Sequence, residues 1–327
     1  MTRLFVGLGA LVVALFVASL LVGPARIGAG EGLRALVLGG DGPVPLVMRE
    51  IRLPRALLAV MIGLSLGLSG AAMQGYLRNP LAEPGLIGVS GSAALGAVLA
   101  IHSGLSAAWA FGLPLSALAG ALAGVVLVIA LAGPRGSSLT LILAGIAISA
   151  MAAALTSLVL NLSSNPFAAN EIVFWMMGSL ADRSMSHVGL ALPLMLAGWA
   201  LLLPLGRGLD ALTLGEDAAA SMGVGLLRMR LVLVVGTACV VGAATAVAGT
   251  IGFVGLVVPH ILRPLVGARP SRLLWASALG GAAMVLAADL AVRLVLPERD
   301  LKLGVLTALV GAPLFLHLIY KTRRELP

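Results

Sequence analysis

Ionisable side chains set within apolar sequence are where chemistry would be sought first, and here they are few: Asp289 with Arg293, His260, and His317. At mid-membrane depth such groups can form a relay that couples solute movement to a proton gradient. Asp289 and Arg293 stand four residues apart, so on a helix they share a face, and pairing lowers the cost of burying either charge. A lone pair near a helix end reads as a structural or docking feature rather than a proton path. His260 follows Pro259 and reads as a structural histidine at a helix irregularity. His102 and His187 lie near the ends of apolar runs with no visible partner.

Enzymatic patterns are missing from the sequence. It contains no Gly-x-x-x-x-Gly-Lys-Ser/Thr run, so the usual phosphate cradle for ATP is lacking and any ATP work is done elsewhere. It contains no His-Glu-x-x-His and no Gly-x-Ser-x-Gly either, and no carboxylate pair within an apolar run suggests intramembrane hydrolysis. The single cysteine, Cys239, excludes an internal disulfide and any multi-cysteine metal site, and reads as a small buried hydrophobe. The chain is therefore expected to be no enzyme and to bind no cofactor or metal of its own.

One polar island does stand out, Thr213-Leu-Gly-Glu-Asp-Ala-Ala-Ala-Ser-Met-Gly-Val224, between two long apolar stretches. Thr213 with Glu216 has the spacing of a capping box, and Gly223 and Gly225 follow as helix breakers. Leu214, Ala218 and Met222 fall four apart on one face, while Glu216 and Asp217 sit at the positive helix end. A short capped helix outside the bilayer is a surface offered to a partner.

The elements that must position these residues follow from composition. Of 327 residues, 60% are hydrophobic and 10% charged, which excludes an ordinary soluble domain. Aromatic residues make up 4% and there are 42 glycines, favouring helices packed through small residues over a β-barrel with aromatic girdles. The net charge of +8 is scattered at the ends of apolar runs, so topology explains it better than nucleic-acid binding.

Ten apolar windows approach bilayer length, at about 4–23, 53–76, 85–103, 108–132, 139–161, 185–205, 231–250, 254–267, 272–296 and 304–320. The first is too long for a signal-peptide core and lacks a good cleavage site after it, so it counts as a span. An even count puts both termini on one side, and residues 1–327 read as a single transmembrane domain. With the N-terminus inside, twelve of the 21 Lys and Arg residues are cytoplasmic: Arg3, Arg78, Arg135, Arg207, Arg228, Arg230, Arg263, Arg269, Arg272, Lys321, Arg323 and Arg324. The remaining nine include Arg49, Arg52 and Arg55, clustered where the positive-inside rule disfavours them.

Residues 24–52 read as a Gly/Pro-rich hydrophilic outer loop, and 162–184 as turn formers with a short aromatic helix at an interface. Arg78-Asn79-Pro80-Leu-Ala-Glu-Pro84 reads as a rigid cytoplasmic turn. Ser65 and Ser69 with Gly63, Gly67 and Gly70, Ser90 and Ser92 with Gly88 and Gly91, and Ser137 with Ser138 allow either close helix contact or a weakly polar passage.

Together these segments resemble the FecCD family, the permease subunits of type II ABC importers for iron-siderophores, haem and vitamin B12. The resemblance rests on Arg52-Leu-Pro-Arg55, Gly70-Ala-Ala-Met-Gln74, Arg78-Asn-Pro-Leu-Ala-Glu-Pro-Gly85 with Gly88-Val-Ser-Gly91, and Trp175-Met-Met-Gly178. It continues in Leu214-Gly-Glu216, Gly249-Thr-Ile-Gly-Phe-Val-Gly-Leu-Val-Val-Pro-His-Ile-Leu-Arg263 and Gly304-Val-Leu-Thr-Ala-Leu-Val-Gly-Ala-Pro313. It implies an all-α bundle of ten spans in the bacterial inner membrane with both termini cytoplasmic. It also implies a homodimer with the passage on its axis, two ATPase subunits that carry ATP and Mg, and a periplasmic binding protein.

By the same resemblance, Leu214 to Gly223 form the coupling helix, with Leu214, Gly215, Glu216, Ala220 and Gly223 meeting the ATPase. Arg52, Arg55 and Arg293 are the outer docking points, Ser137, Ser138 and Leu139 belong to the cytoplasmic gate, and Arg78, Asn79 and Pro80 to a cytoplasmic loop. Two departures stand out: Lys302 in Asp300-Leu-Lys-Leu-Gly304 replaces the family's usual proline, and Leu139 occupies a position where hydroxyl residues can occur. The Asn-Pro-Leu-Ala-Glu-Pro-Gly and Trp-Met-Met-Gly runs look like those of vitamin B12 permeases, and Gly178-Ser-Leu-Ala-Asp-Arg183 like iron-chelate members. An iron-siderophore or haem is the expected cargo, with cobalamin the alternative. A secondary transporter using Asp289 is the alternative from another class.

Overall fold

The computed structural model describes residues 1–25, 27–133, 137–295 and 301–325. Arg135 and Asp300 fall outside them, as do the side chains of His317, Lys321, Arg323 and Arg324. In chain order the α-helices are α1 (Thr2–Leu21), α2 (Ala29–Leu38), α3 (Pro43–Leu46), α4 (Leu53–Leu77), α5 (Val89–His102), α6 (Leu105–Ala108), α7 (Gly112–Ala132) and α8 (Ser138–Leu162). There follow α9 (Pro166–Met176), α10 (Met185–Leu202), α11 (Gly206–Leu212), α12 (Glu216–Ser221), α13 (Leu226–Ala248), α14 (Val254–Leu262), α15 (Pro270–Val295) and α16 (Leu303–Glu325). No strand occurs among the described residues.

A helix occupies each of the ten expected windows, but the windows are not equal. Seven helical segments among the described residues are long and apolar enough to cross a bilayer: Thr2–Leu21, Pro43–Leu77, Gly112–Ala132, Ser138–Leu162, Met185–Leu212, Leu226–Ala248 and Pro270–Val295. At about 1.5 Å per residue, α5 with 14 residues and α14 with nine fall short of a crossing. Both short helices start deep in the bundle, after irregular segments, so an apolar count could not set their ends.

The expected outer loop at 24–52 is instead largely helical. Gly32 and Ala35 of α2 are buried, and Ile27, Leu36 and Val44 pack on a small core of Leu20, Met48 and Ala56. A π-helical turn, Val47–Arg52, leads directly into α4, and Arg49 donates to the Leu36 and Val37 carbonyls at the C-terminus of α2. Polar and glycine-rich composition concealed this amphipathic helix, whose partner is Met48 in the next turn.

The centre of the molecule is α4, whose apolar window is 83% buried, against 11% for α1. Helices α15, α14, α13 and α10 surround it. Contact with α15 is backbone to backbone: a Cβ on Gly67 would collide with the Ser277 carbonyl, and Cβ atoms on Gly63 and Gly281 would strike each other's backbone. Gly70 meets Gly255 of α14 in the same way. The Ser69 hydroxyl donates to the Ser65 and Leu66 carbonyls of its own helix, and Ser65 accepts from Trp199 Nε1 of α10 at 3.0 Å. These glycines and serines therefore serve helix contact. Gly67→Ala is expected to destabilise the fold by about 1–3 kcal/mol or more, because backbone cannot move aside as a side-chain tip can; thermal unfolding of the purified protein in detergent reads this as a lower midpoint.

Candidate functional site

At one end of the bundle α11, α12 and the start of α13 form a compact projection. The capping box does not form: Thr213 ends α11 and its hydroxyl turns back to the Asp210 carbonyl at 2.7 Å, while the N-cap of α12 is Gly215, at φ 107°. The preceding helix, not visible as separate in the sequence, consumes the threonine. The stop is as expected and stronger. Gly223, at φ 84°, donates to Ala220, and Val224 donates to Ala219, the paired bonds of a Schellman motif. Ala219 is fully buried beneath the helix, and Glu216, Asp217 and Ala220 are exposed. Leu214 and Met222 present large apolar side chains at 70% and 55% exposure.

Asp210 fixes this projection to the longest helix of the bundle. Its carboxylate accepts from the Ser271 amide and hydroxyl and from Arg269, so an acid from α11 caps the N-terminus of α15. Beside it, Arg78 ends α4 in a left-handed conformation at φ 48°, and the Asn79 side chain accepts from Leu81, giving the rigid turn expected through Pro80. Ser137 is the N-cap of α8, accepting from Thr140. Leu139 is 63% exposed.

The opposite end holds the arginines. Asp289, fully buried, pairs with Arg55 at 2.9 Å and with Arg293 at 2.8 Å. Arg52 is buried and donates to the carbonyls of Leu20, Leu21 and Ala25. Arg293 donates to Ser19 and Val22 carbonyls and to the Ser19 hydroxyl. Two cations thus occupy the negative end of α1 and satisfy its last carbonyls. Of the three arginines expected to dock a partner, Arg52 and Arg293 are committed inside the subunit and only Arg55 keeps partial access, its side chain 18% exposed. Asp289 stands between two guanidiniums as their counter-ion.

Between the ends, three irregular segments meet. Ser179 donates to the Ala248 carbonyl, Gly304 to the Gly178 carbonyl, and the Thr250 hydroxyl to Met176. The Glu83 carboxylate reaches this knot from the α4–α5 turn and accepts from Phe253 at 3.3 Å. An open cavity of about 660 Å³ lies alongside, lined by Met176, Met177, Thr250, Phe253, Val305 and Leu309. Lys302 lies just before α16, its carbonyl accepting from Val305 and Leu306 and its ammonium 5.5 Å above the Phe174 ring. The lysine side chain adds a cation–π contact to this turn. Sequence reading missed Glu83 as a link, since its partner lies 170 residues away.

The FecCD transport family model matches residues 11–321. The chain belongs to this family. It is 40% identical over 277 residues to the Fe(3+) dicitrate transport system permease protein FecD of Escherichia coli (strain K12), covering 85% of this chain and 86% of that protein. It is 39% identical over 328 residues to the vitamin B12 import system permease protein BtuC of Salmonella paratyphi A, covering 98% and 96%. A transporter assigned to the metal-chelate type of ABC transporters, solved in an inward-facing conformation, superposes with a TM-score of 0.85 at 35% identity, covering 98% of this chain and 100% of that one. This FecCD member is a multi-pass membrane protein and an ABC importer permease.

Removing the arginine clamp should release α1. Arg52→Ala with Arg293→Ala is expected to raise amide hydrogen exchange selectively at residues 18–25, read by mass spectrometry. Asp289→Ala, which leaves Arg55 and Arg293 facing each other, is expected to destabilise the whole bundle by about 3–5 kcal/mol.

Proposed function

We propose that this FecCD chain forms the membrane passage of an ABC importer for a metal chelate, an iron-siderophore or haem, driven by ATP hydrolysis on a separate subunit. The observation that carries the reading is α12. It is an exposed six-residue helix, stopped by a Schellman turn, tied through Asp210 to α15 and flanked by exposed Leu214 and Met222, in a chain without a phosphate cradle. Leu214, Gly215, Glu216, Ala220 and Gly223 form the seat of an ATPase subunit, and a stiff helix there passes force on rather than absorbing it.

The assembly we propose is a homodimer with ten crossings per subunit, both termini cytoplasmic, in a bacterial inner membrane, with two ATPase subunits below. A periplasmic binding protein docks at the Asp289 end. There Arg55 is the accessible cation, and Arg52 and Arg293 hold the surface behind it. The start of α8 at Ser137, Ser138 and Leu139 forms the cytoplasmic gate. ATP-driven closure of the ATPases favours one arrangement of the gate over the other, a population shift set by their differential affinity.

Cobalamin is the second reading for the cargo, because the vitamin B12 relative matches 98% of the chain where the ferric dicitrate relative matches 85%. Proteoliposomes containing the chain, its ATPase and its binding protein, each loaded with ferric chelate, haem or cobalamin, test both. ATP-dependent uptake of an iron chelate is expected. Uptake of cobalamin alone would move the cargo assignment, and uptake driven by a proton gradient without ATPase would overturn the mechanism. Gly223→Val, which forces a β-branched residue into the left-handed region at a penalty of about 1–2 kcal/mol, is expected to lower cargo moved per ATP while the protein remains in the membrane.

A further inference from the structure

In the knot beside the cavity of about 660 Å³, Phe253 stands at φ 67°, in the left-handed region that a ring-bearing residue rarely adopts. Two contacts hold it there. The Glu83 carboxylate accepts from its amide at 3.3 Å, and Glu83 is itself fixed, because the adjacent Pro84 ring packs on Gly255 where a Cβ would not fit. On the other side the Phe253 side chain lies on Gly311 of α16, and a Cβ at Gly311 would overlap the Phe253 Cβ and ring carbons. Phe253 is half-buried and lines the cavity.

The seat on Gly311 also decides how α16 is attached. Gly304, Thr307 and Gly311 fall on one face of that helix. At Gly304 the helix is pinned: its amide donates to the Gly178 carbonyl, and a Cβ there would strike the Met177 and Thr250 carbonyls. Two turns on, about 10 Å along the axis, Gly311 rests on Phe253. The other flank of α16 is bare, with Leu309, Val310 and Leu316 exposed. A pinned end, an aromatic seat two turns away and an open flank make α16 a lever hinged at Gly304. Irregular backbone at membrane depth is tolerated where it lines a cavity, and a bulky residue held in the left-handed region marks a switch, since an ordinary conformation lies close by in energy. We propose that Phe253 is the switch residue of the passage: seated on Gly311 it holds α16 against residues 249–253, and leaving that seat it frees α16 to widen the cavity for cargo. Glu83 is the positioning residue that keeps it seated.

This rests on the chain forming the passage of an ATP-driven importer, and the test separates the two. The complete complex in proteoliposomes carries Cys239→Ala and Leu309→Cys, a reporter on the cavity wall, alone or with Phe253→Ala, Glu83→Ala or Glu83→Gln. Two quantities are read: uptake per ATP of the ferric chelate, haem or cobalamin supplied, and the rate at which a water-soluble maleimide labels position 309 with and without trapped nucleotide. In the reporter background the two nucleotide states are expected to differ in labelling rate about tenfold. In Phe253→Ala the faster rate is expected in both states, and uptake per ATP falls about tenfold. Glu83→Ala is expected to shrink the labelling difference to about threefold, and Glu83→Gln, which keeps a carbonyl acceptor, to stay within about twofold of the background.

A labelling difference and an uptake ratio in Phe253→Ala equal to those of the background would overturn the switch while leaving the passage in place. Equal labelling of the two nucleotide states in a background that takes up cargo would do the same. Absence of ATP-driven uptake in wild type would overturn the passage and the switch with it. Should Phe253→Ala fail to assemble, Glu83→Ala keeps the ring and carries the test. An unchanged labelling difference there counts against the switch, and a reduced one restored in Glu83→Gln supports it.

Discussion

Everything in this bundle depends on α4 and α15 meeting without side chains between them. Lipid supplies no hydrophobic drive for helices to associate, so close van der Waals contact has to hold them. Gly63, Gly67 and Gly281 permit that contact because a methyl group at any of them would overlap backbone. The pair becomes one stiff body, and its two ends carry the two polar assemblies. Ser271, bonded to Asp210, and Arg293, bonded to the end of α1, are separated by about 33 Å of continuous helix at about 1.5 Å per residue.

The buried charges show a related economy. Asp289 is tolerated in the interior because Arg55 and Arg293 face it. Arg52 and Arg293 are tolerated because helix-end carbonyls of α1 accept from them. The positive-inside rule disfavours arginine on this side; here the cations complete a peripheral helix that packs little of its own surface. Arg230 repeats the device at the other end, on the C-terminus of α7. Three arginines thus terminate helices across the subunit, and each ties together segments that are distant in sequence.

Local signals were legible in the sequence and distant partners were not. Helices stand in all ten apolar windows, Gly223 stops α12, and Asn79 makes the turn after α4, because each depends on residues within one or two turns. The capping box at Thr213 fails since the boundary between α11 and α12 is set by Gly215 and by Asp210 reaching to Ser271, 61 residues on. Arg55 and Asp289 lie 234 residues apart, and no periodicity in one strand of sequence reports such a pair. The helix at Ala29–Leu38 was concealed for the same reason: its apolar face is narrow and acquires meaning only against Met48. The α12 surface was the part of the candidate site most open to reading, since a short helix that projects from a membrane bundle is built from local residues.

The most direct measurement is a proximity crosslink from α12 itself. With Cys239→Ala as background, Leu214→Cys and Met222→Cys would be labelled with a short photo-crosslinker in the membrane-embedded complex, and Leu46→Cys at the opposite end would serve as the control. Crosslinks from positions 214 and 222 to the ATP-binding subunit, changing in yield when nucleotide is trapped, are the expected result. Crosslinks to that subunit from position 46 and none from 214 or 222 would contradict the assignment of α12 as the point where force enters the membrane.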